Sequence, residues 1–268
     1  MKRIPVFLLG ACLLTACQNT ATTEETATSP ETPVVATAET APVDNTLTEQ
    51  EKEEGWELLF DGTTTDHWRG AHKEDFPEGG WKVEDGLLIV EASDGAESQN
   101  GGDIVTKDEY ANFAFQVDFK LTEGANSGIK YFVTEAYNSN KSAIGLEYQL
   151  LDDARHPDAK LGNNGGGTRT MASLYDLKGA PANKPARPIG EWNTARVEVR
   201  GQQVTHYLNG TKVLEYERGS DEYNKLVQGS KYKDWENFGM ADSGHILLQD
   251  HGDRVYFKNI KVRKMPAS

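Results

Sequence analysis

From Trp56 onward the chain alternates apolar and polar residues with a period of two, in short runs separated by glycine-rich turns. Phe113, Phe115, Val117, Phe119 and Leu121 interleave with Ala114, Gln116, Asp118 and Lys120, which predicts a strand with one buried and one wetted face. Trp81 to Glu84 and Leu87 to Val90 flank Asp85-Gly86, a dipeptide suited to a two-residue hairpin turn. Ile129 to Thr134 and Ile144 to Leu151 continue the series. Thr194 to Arg200, Val204 to Leu208 and Lys212 to Tyr216 form a meander that turns at Gly201-Gln202 and Asn209-Gly210, and His245 to Gln249 and Val255 to Arg263 close the chain. The one fair helix start is Ser220, an N-cap residue followed by Asp221 and Glu222. Short strands with hardly a helix predict an all-β sandwich or jelly roll.

The first 54 residues follow a different pattern. Lys2 and Arg3 precede an apolar run, Ile4 to Leu14, too short to span a bilayer and suited to a signal peptide. It ends in Leu14-Thr15-Ala16-Cys17, which looks like a bacterial lipobox with Cys17 as the lipidated residue, anchored through the methylenes of its acyl chains. Residues 1–16 are therefore expected as signal peptide. Residues 17–54, rich in Thr, Ala, Glu and Pro without an aromatic side chain, are expected as a disordered tether, and 55–268 as the folded domain. The location expected is the cell envelope, lipid-anchored at the outer membrane.

Charge and cysteine content narrow the chemistry. The formal charge is −14, and losing Lys2 and Arg3 with the signal leaves 26 basic against 42 acidic residues, or −16. That balance argues against nucleic acid and against electrostatic adhesion to anionic lipid. Cys12 would leave with the signal, so the fold has no disulfide and no thiolate to use. Gly162 to Gly167 lacks the lysine and following helix of a phosphate loop, and the six histidines show no metal-ligand pair on a helix.

Polar residues on strand faces carry more information. In the stretch GLEYQLLDDARHPD, Leu146, Tyr148 and Leu150 share one face and Glu147 and Gln149 the other. The polar face is either a trough for carbohydrate or a solvated surface. Asp152 and Asp153 are either site carboxylates or turn formers that bond their own backbone, and His156 sits before Pro157 in a loop. Asp250 beside His251 either orients an imidazole or forms a polar turn. Lys130 either meets a sugar oxygen or is solvated, and Trp192 is either a stacking platform or core.

Several motifs occur in order: GWELLFDG from Gly55, WKVEDGLL from Trp81, GGDIVTKDEYANFAFQVDFKL from Gly101, ANSGIKY from Ala125, EYQLLDDARHPDAK from Glu147, SLYDL from Ser173, GEWNTARVEVRGQQVTHYLNG from Gly190 and ILLQDHGDRVYFKNIKVR from Ile246. This series resembles the 3-keto-disaccharide (3-keto-glycoside) hydrolase family. The resemblance implies a concanavalin A-like jelly-roll β-sandwich with at most one or two short helices. It also implies a glycoside substrate already oxidised at carbon 3 by a separate dehydrogenase. A ketone there acidifies the carbon-2 proton, so a modest base removes it, the enolate expels the group on carbon 1, and water adds back.

On that reading Glu147 is the base or acid, with His156 or His251 as its counterpart. Lys130, Gln149 and Asp250 hold sugar hydroxyls or the enolate oxygen, and Asp152, Tyr175, Trp192 and Gln249 complete the substrate-binding set. No cofactor is expected. A divalent ion on some of Asp152, Asp153 and His156 is the one metal considered. Two other function classes fit the same fold: a glycan-binding module without catalysis, and a conventional glycosidase with two carboxylates flanking the bond.

Overall fold

The computed structural model describes residues 43–93, 98, 101–135, 143–162, 164 and 167–266. The signal peptide, Cys17 and most of the expected tether lie outside the described residues. Among the described residues there are thirteen strands: β1 (Trp56–Leu58), β2 (Trp68–Gly70), β3 (Trp81–Glu84), β4 (Leu87–Val90), β5 (Ile104–Thr106), β6 (Phe113–Leu121), β7 (Asn126–Thr134), β8 (Ile144–Leu151), β9 (Asn193–Arg200), β10 (Gln203–Leu208), β11 (Thr211–Glu217), β12 (His245–Leu248) and β13 (Val255–Lys264). Two short helices, α1 (Glu49–Glu53) and α2 (Asp221–Gln228), and a 3-10 turn (Pro157–Lys160) complete the described elements.

The strands form two antiparallel sheets of a jelly-roll sandwich. One runs β11-β10-β9-β6-β13-β4-β3, with β1 also on β13; the other runs β2-β5-β12-β7-β8. Period-two alternation decides which side chains meet between them. Phe113, Phe115, Phe119 and Phe257 come from the larger sheet, and Leu146, Tyr148 and Leu150 from β8 of the smaller; all are at most 1 % exposed. The Asp85-Gly86 hairpin has the expected left-handed pair, φ 52° and 74°. Ser220 caps α2 by accepting from the Tyr223 amide at 3.1 Å.

The expected tether ends earlier than Glu54. Residues 43–54 belong with the domain: α1 carries a capping box between Thr48 and Glu51. Asn45 exchanges hydrogen bonds with Asn259, the Asn45 amide donating to Asn259 Oδ1 at 2.6 Å and the Asn259 amide to Asn45 Oδ1 at 2.8 Å. Asn259 marks a break in the register of β13 against β6, so Asn45 satisfies backbone groups that the sheet leaves open. Composition alone hides this, because one asparagine in a polar segment carries no local signal.

Two features of the fold bear on the site. In β7, a register shift between Tyr131 and Thr134 presses the strand against Gly145 of β8. A Cβ there would meet the Tyr131 carbonyl at 2.6 Å. Between the sheets, His206 Nδ1 donates to the Ala172 carbonyl at 3.0 Å, which leaves Nε2 to accept from the Tyr131 hydroxyl at 2.8 Å. Tyr216 then donates to Tyr131 at 2.5 Å. Burial holds His206 neutral, its pKa lowered to about 4.

Candidate active site

The alternation that sends Tyr148 inward sends Glu147 and Gln149 to the opposite face of the smaller sheet, where they line a cavity of about 330 Å³. Strand β7 is the antiparallel neighbour of β8, with Lys130 paired to Glu147 and Gly128 to Gln149. Lys130 and Asn126 therefore stand on the same face and also line the cavity. The far edge of β8 is closed by a loop: Tyr175 and Ala172 amides donate to the Glu147 and Gln149 carbonyls at 3.0 and 2.8 Å. Gln249, whose amide donates to the Gly128 carbonyl at 3.0 Å, and His251 form another wall. The loop after α2 contributes Lys231, Tyr232 and Trp235.

Glu147 is the centre of this arrangement. It is 6 % exposed, and burial pushes its carboxyl pKa up, because a carboxylate loses solvation there. Lys130, Lys231 and His251 pull in the other direction without cancelling the rise, and Asp103 adds to it. The carboxyl leans over Gly128, so close that a Cβ on residue 128 would lie 2.5 Å from Oε1. Lys130 Nζ lies 3.4 Å from Asp103 Oδ2. Lys231 is exposed as a residue, yet desolvation of its ammonium lowers its pKa, opposed by Glu147.

A buried ionic scaffold sets the wall and the loop. Arg169 bridges Asp158 at 2.6 Å and Asp176 at 2.8 Å. Asp158 accepts from the Tyr175 hydroxyl at 2.9 Å, and Asp176 accepts from the Lys231 amide at 2.8 Å. Lys231 Nζ lies 4.3 Å from the centre of the Tyr175 ring. Burial, then Glu147 and Asp158, raise the Tyr175 pKa, so its hydroxyl stays protonated and donates.

Six of the ten residues expected at the site line the cavity: Lys130, Glu147, Gln149, Tyr175, Gln249 and His251. Four do not. His156 caps the 3-10 turn, its Nδ1 accepting from the Asp158 amide at 3.2 Å, and its ring stands edge-on to His251 with centroids 6.2 Å apart. Asp152 accepts from the amides of Gly124, Ala154 and Arg155, so it is a turn former. Asp250 accepts from the amides of Gly101, Gly102 and Gly252, which holds a loop. Trp192 lies against Lys120 and Lys258 of β6 and β13, on the larger sheet.

The metal considered for Asp152, Asp153 and His156 has no ligand set there. Asp153 is engaged by the Met171 amide and Lys184, both at 2.7 Å. Among the described residues no group of three His, Cys, Asp or Glu converges as ligands. The residues that sequence reasoning missed are Asn126, Lys231, Tyr232 and Trp235. The last three come from Lys-Tyr-Lys-Asp-Trp, a run of basic and aromatic residues unusual in so acidic a chain.

Residues 55–263 match the model of the 3-keto-alpha-glucoside-1,2-lyase-like domain. The chain belongs to this family. Within the 3-keto-alpha-glucoside-1,2-lyase-like family it is 38% identical, over 78% of each chain, to a protein of Bacteroides thetaiotaomicron named 3-keto-disaccharide hydrolase. It is also similar to the crystal structure of a putative glycosyl hydrolase from Parabacteroides distasonis, with 32% identity and a TM-score of 0.72 over 84% of this chain and all of that one. A second such structure from the same organism gives 28% identity and a TM-score of 0.58 over 78% of this chain and 99% of the other.

Proposed function

We propose that this chain is a carbohydrate hydrolase that cleaves the glycosidic bond of 3-keto-glycosides, by elimination across carbons 1 and 2 followed by addition of water. The observation that carries the reading is the buried Glu147 carboxyl, raised in pKa and facing Lys130, Lys231 and His251 in a cavity. The family's description as a 1,2-lyase-like domain and the relative's name as a 3-keto-disaccharide hydrolase both support it.

Glu147 takes the carbon-2 proton, and the electron pair moves onto the carbon-3 oxygen. A carboxylate desolvated in this way is a stronger base than one in water. Lys130 and Lys231 stabilise the enolate oxygen. The carbonyl re-forms, carbons 1 and 2 become doubly bonded, and the carbon-1 oxygen departs with a proton from His251. Water then adds to carbon 1, giving its proton to His251, while Glu147 returns a proton to carbon 2. Both groups end as they began, so the net reaction is hydrolysis. The pair Asp152 and Asp153, which motivated a two-carboxylate glycosidase, is occupied by backbone amides, Arg155 and Lys184.

Incubation with a 3-keto-disaccharide in deuterium oxide tests the reading. The expected result is free 3-keto-sugar with deuterium at carbon 2 above that in unreacted substrate, and no release by Glu147→Gln. Release without carbon-2 label, or cleavage of the unoxidised disaccharide at a similar rate, refutes elimination. As part of the same proposal, the lipobox-like run ending at Cys17 supports a lipid-anchored location in the envelope; palmitate labelling that survives Cys17→Ser refutes that.

A further inference from the structure

Two side chains in the cavity carry buried amide atoms without a protein partner. Gln149 is fully buried, and neither its Oε1 nor its Nε2 has a hydrogen-bond partner. Asn126 is 2 % exposed, and its Oδ1 has none. Both residues line the cavity that holds Glu147. Asn126 and Gln149 are diagonal neighbours on one face of the β7–β8 pair, since Asn126 lies two residues before Gly128, the partner of Gln149. Their backbones are thus roughly 7–8 Å apart.

A folded chain does not keep such groups for stability. A buried polar atom without a partner destabilises the fold, and an apolar side chain of the same shape removes the penalty. The polar atoms at issue comprise two acceptors and one donor group. They complement ligand groups that both donate and accept, which is the property of the sugar hydroxyl. Gly128, between them on the same face, leaves the floor bare where a side chain would block a ring.

We propose that Gln149 and Asn126 form a pyranose-hydroxyl subsite, without protein partners of their own and satisfied by substrate, that sets specificity beside Glu147. Its being a sugar subsite of a hydrolase rests on the function proposed above. The hydroxyls belong either to the oxidised ring, on carbons 4 and 6, or to a sugar leaving group, and the chemistry is shared.

The test compares Gln149→Met and Asn126→Leu with the unaltered chain. Without sugar, Gln149→Met is expected to melt higher by about 2–8 °C, because the orphaned amide is gone. A melting point equal to or below the parent's shows that the amide is already satisfied and overturns the proposal. With 3-keto-disaccharide, kcat/KM is expected to fall about 10- to 100-fold in either variant. A fall below threefold in both overturns it.

Deleting the recognised hydroxyl from the substrate is expected to reduce the parent enzyme's rate by a similar factor and to leave Gln149→Met unchanged. Equal losses in both proteins overturn the proposal. Calorimetry with 3-keto-glucose and with glucose assigns the source: weakened binding of the first in Gln149→Met places the oxidised ring there, and of the second the leaving group. Unchanged binding of both overturns the subsite. If the unaltered chain releases no ketosugar but its sugar binding weakens in Gln149→Met, the subsite stands and the elimination reading falls.

Discussion

Replacing Gly128 by alanine isolates the placement of the Glu147 carboxyl from its chemistry. Gly128 sits in β7 with ordinary strand geometry, since its φ is outside the left-handed range. Alanine is therefore acceptable to the backbone and restricts the unfolded chain, a gain of about 0.5–1 kcal/mol. The new Cβ, however, lies 2.5 Å from Glu147 Oε1, 3.0 Å from its Cδ and 3.1 Å from Gln249 Oε1. To reach ordinary contact near 3.5 Å the carboxyl withdraws by about 1 Å. A displacement of that size at a reacting group lowers the rate about 100-fold, equivalent to about 2.7 kcal/mol of barrier. The expected outcome for Gly128→Ala is a roughly 100-fold lower kcat in ketosugar release at saturating substrate, with a melting point within a few degrees of the parent. Because the obstruction is steric, the shorter side chain of Glu147→Asp makes room. The substitution then costs much less in that background, a non-additivity that a double-mutant cycle measures. A kcat within threefold of the parent, in a protein that melts normally, refutes the assignment of Glu147 as a base held in place by Gly128.

Further outcomes follow from the same geometry. The proposed base works as a carboxylate and its pKa is raised, so turnover is expected to fall on acidification through a value above the usual glutamate range. Lys130→Met removes a group that lowers that pKa and should move the acid limb to higher pH; a limb that stays put separates Lys130 from Glu147. The His206 pKa of about 4 lies below the unfolded value of 6.5, so the unfolded chain binds the extra proton and folding weakens as pH falls from about 6.5 to 4, by about 3 kcal/mol in all. Glu147 titrates in the opposite sense, so the measurement is a melting series on Glu147→Gln, and a flat curve across that window contradicts the buried neutral ring. Asn45→Ala orphans the Asn259 amide and removes the bond to the Gly86 carbonyl, and is expected to lower stability by about 2–3 kcal/mol without changing kcat. An unaltered melting point would return residues 43–54 to the tether.

The strands were legible in the sequence because their signal is local: the alternation from Ile144 to Leu151 fixes both the element and the face that Glu147 and Gln149 take. Residue type without tertiary context misled in a consistent way. Asp152 and Asp250 are as apt for a sugar as for a turn, and in both the carboxylate found nearby amides first. Asp250 beside His251 suggested a dyad, yet neighbouring residues in extended chain point apart. Only His251 reaches the cavity. Nothing local told which sheet Trp192 would join. Lys231 is 84 residues from Glu147 in sequence, and its place depends on the Arg169–Asp176 contact and on the Asp176 bond to its own amide. Such a contact has no periodicity to detect.

The two lysines also bear on how so buried a carboxyl would serve the proposed elimination. For Glu147 to act as the proposed base it carries the negative charge at the start, within the influence of Lys130 and Lys231. When Glu147 takes the carbon-2 proton, that charge passes to the enolate oxygen of the substrate. The sum of charges between the ammonium groups is the same before and after, so the site has little to reorganise as the proton moves, which is the condition under which fixed charges lower a barrier most. Lys130 is fixed by the strand register against Glu147 and Lys231 by the loop, so the field is built before substrate enters. A nucleophilic mechanism would instead spend the Glu147 charge in forming a bond to carbon 1, removing the carboxylate charge that both ammonium groups share while Lys130 keeps its contact with Asp103. The arrangement of cations thus favours proton abstraction over displacement at this carboxylate.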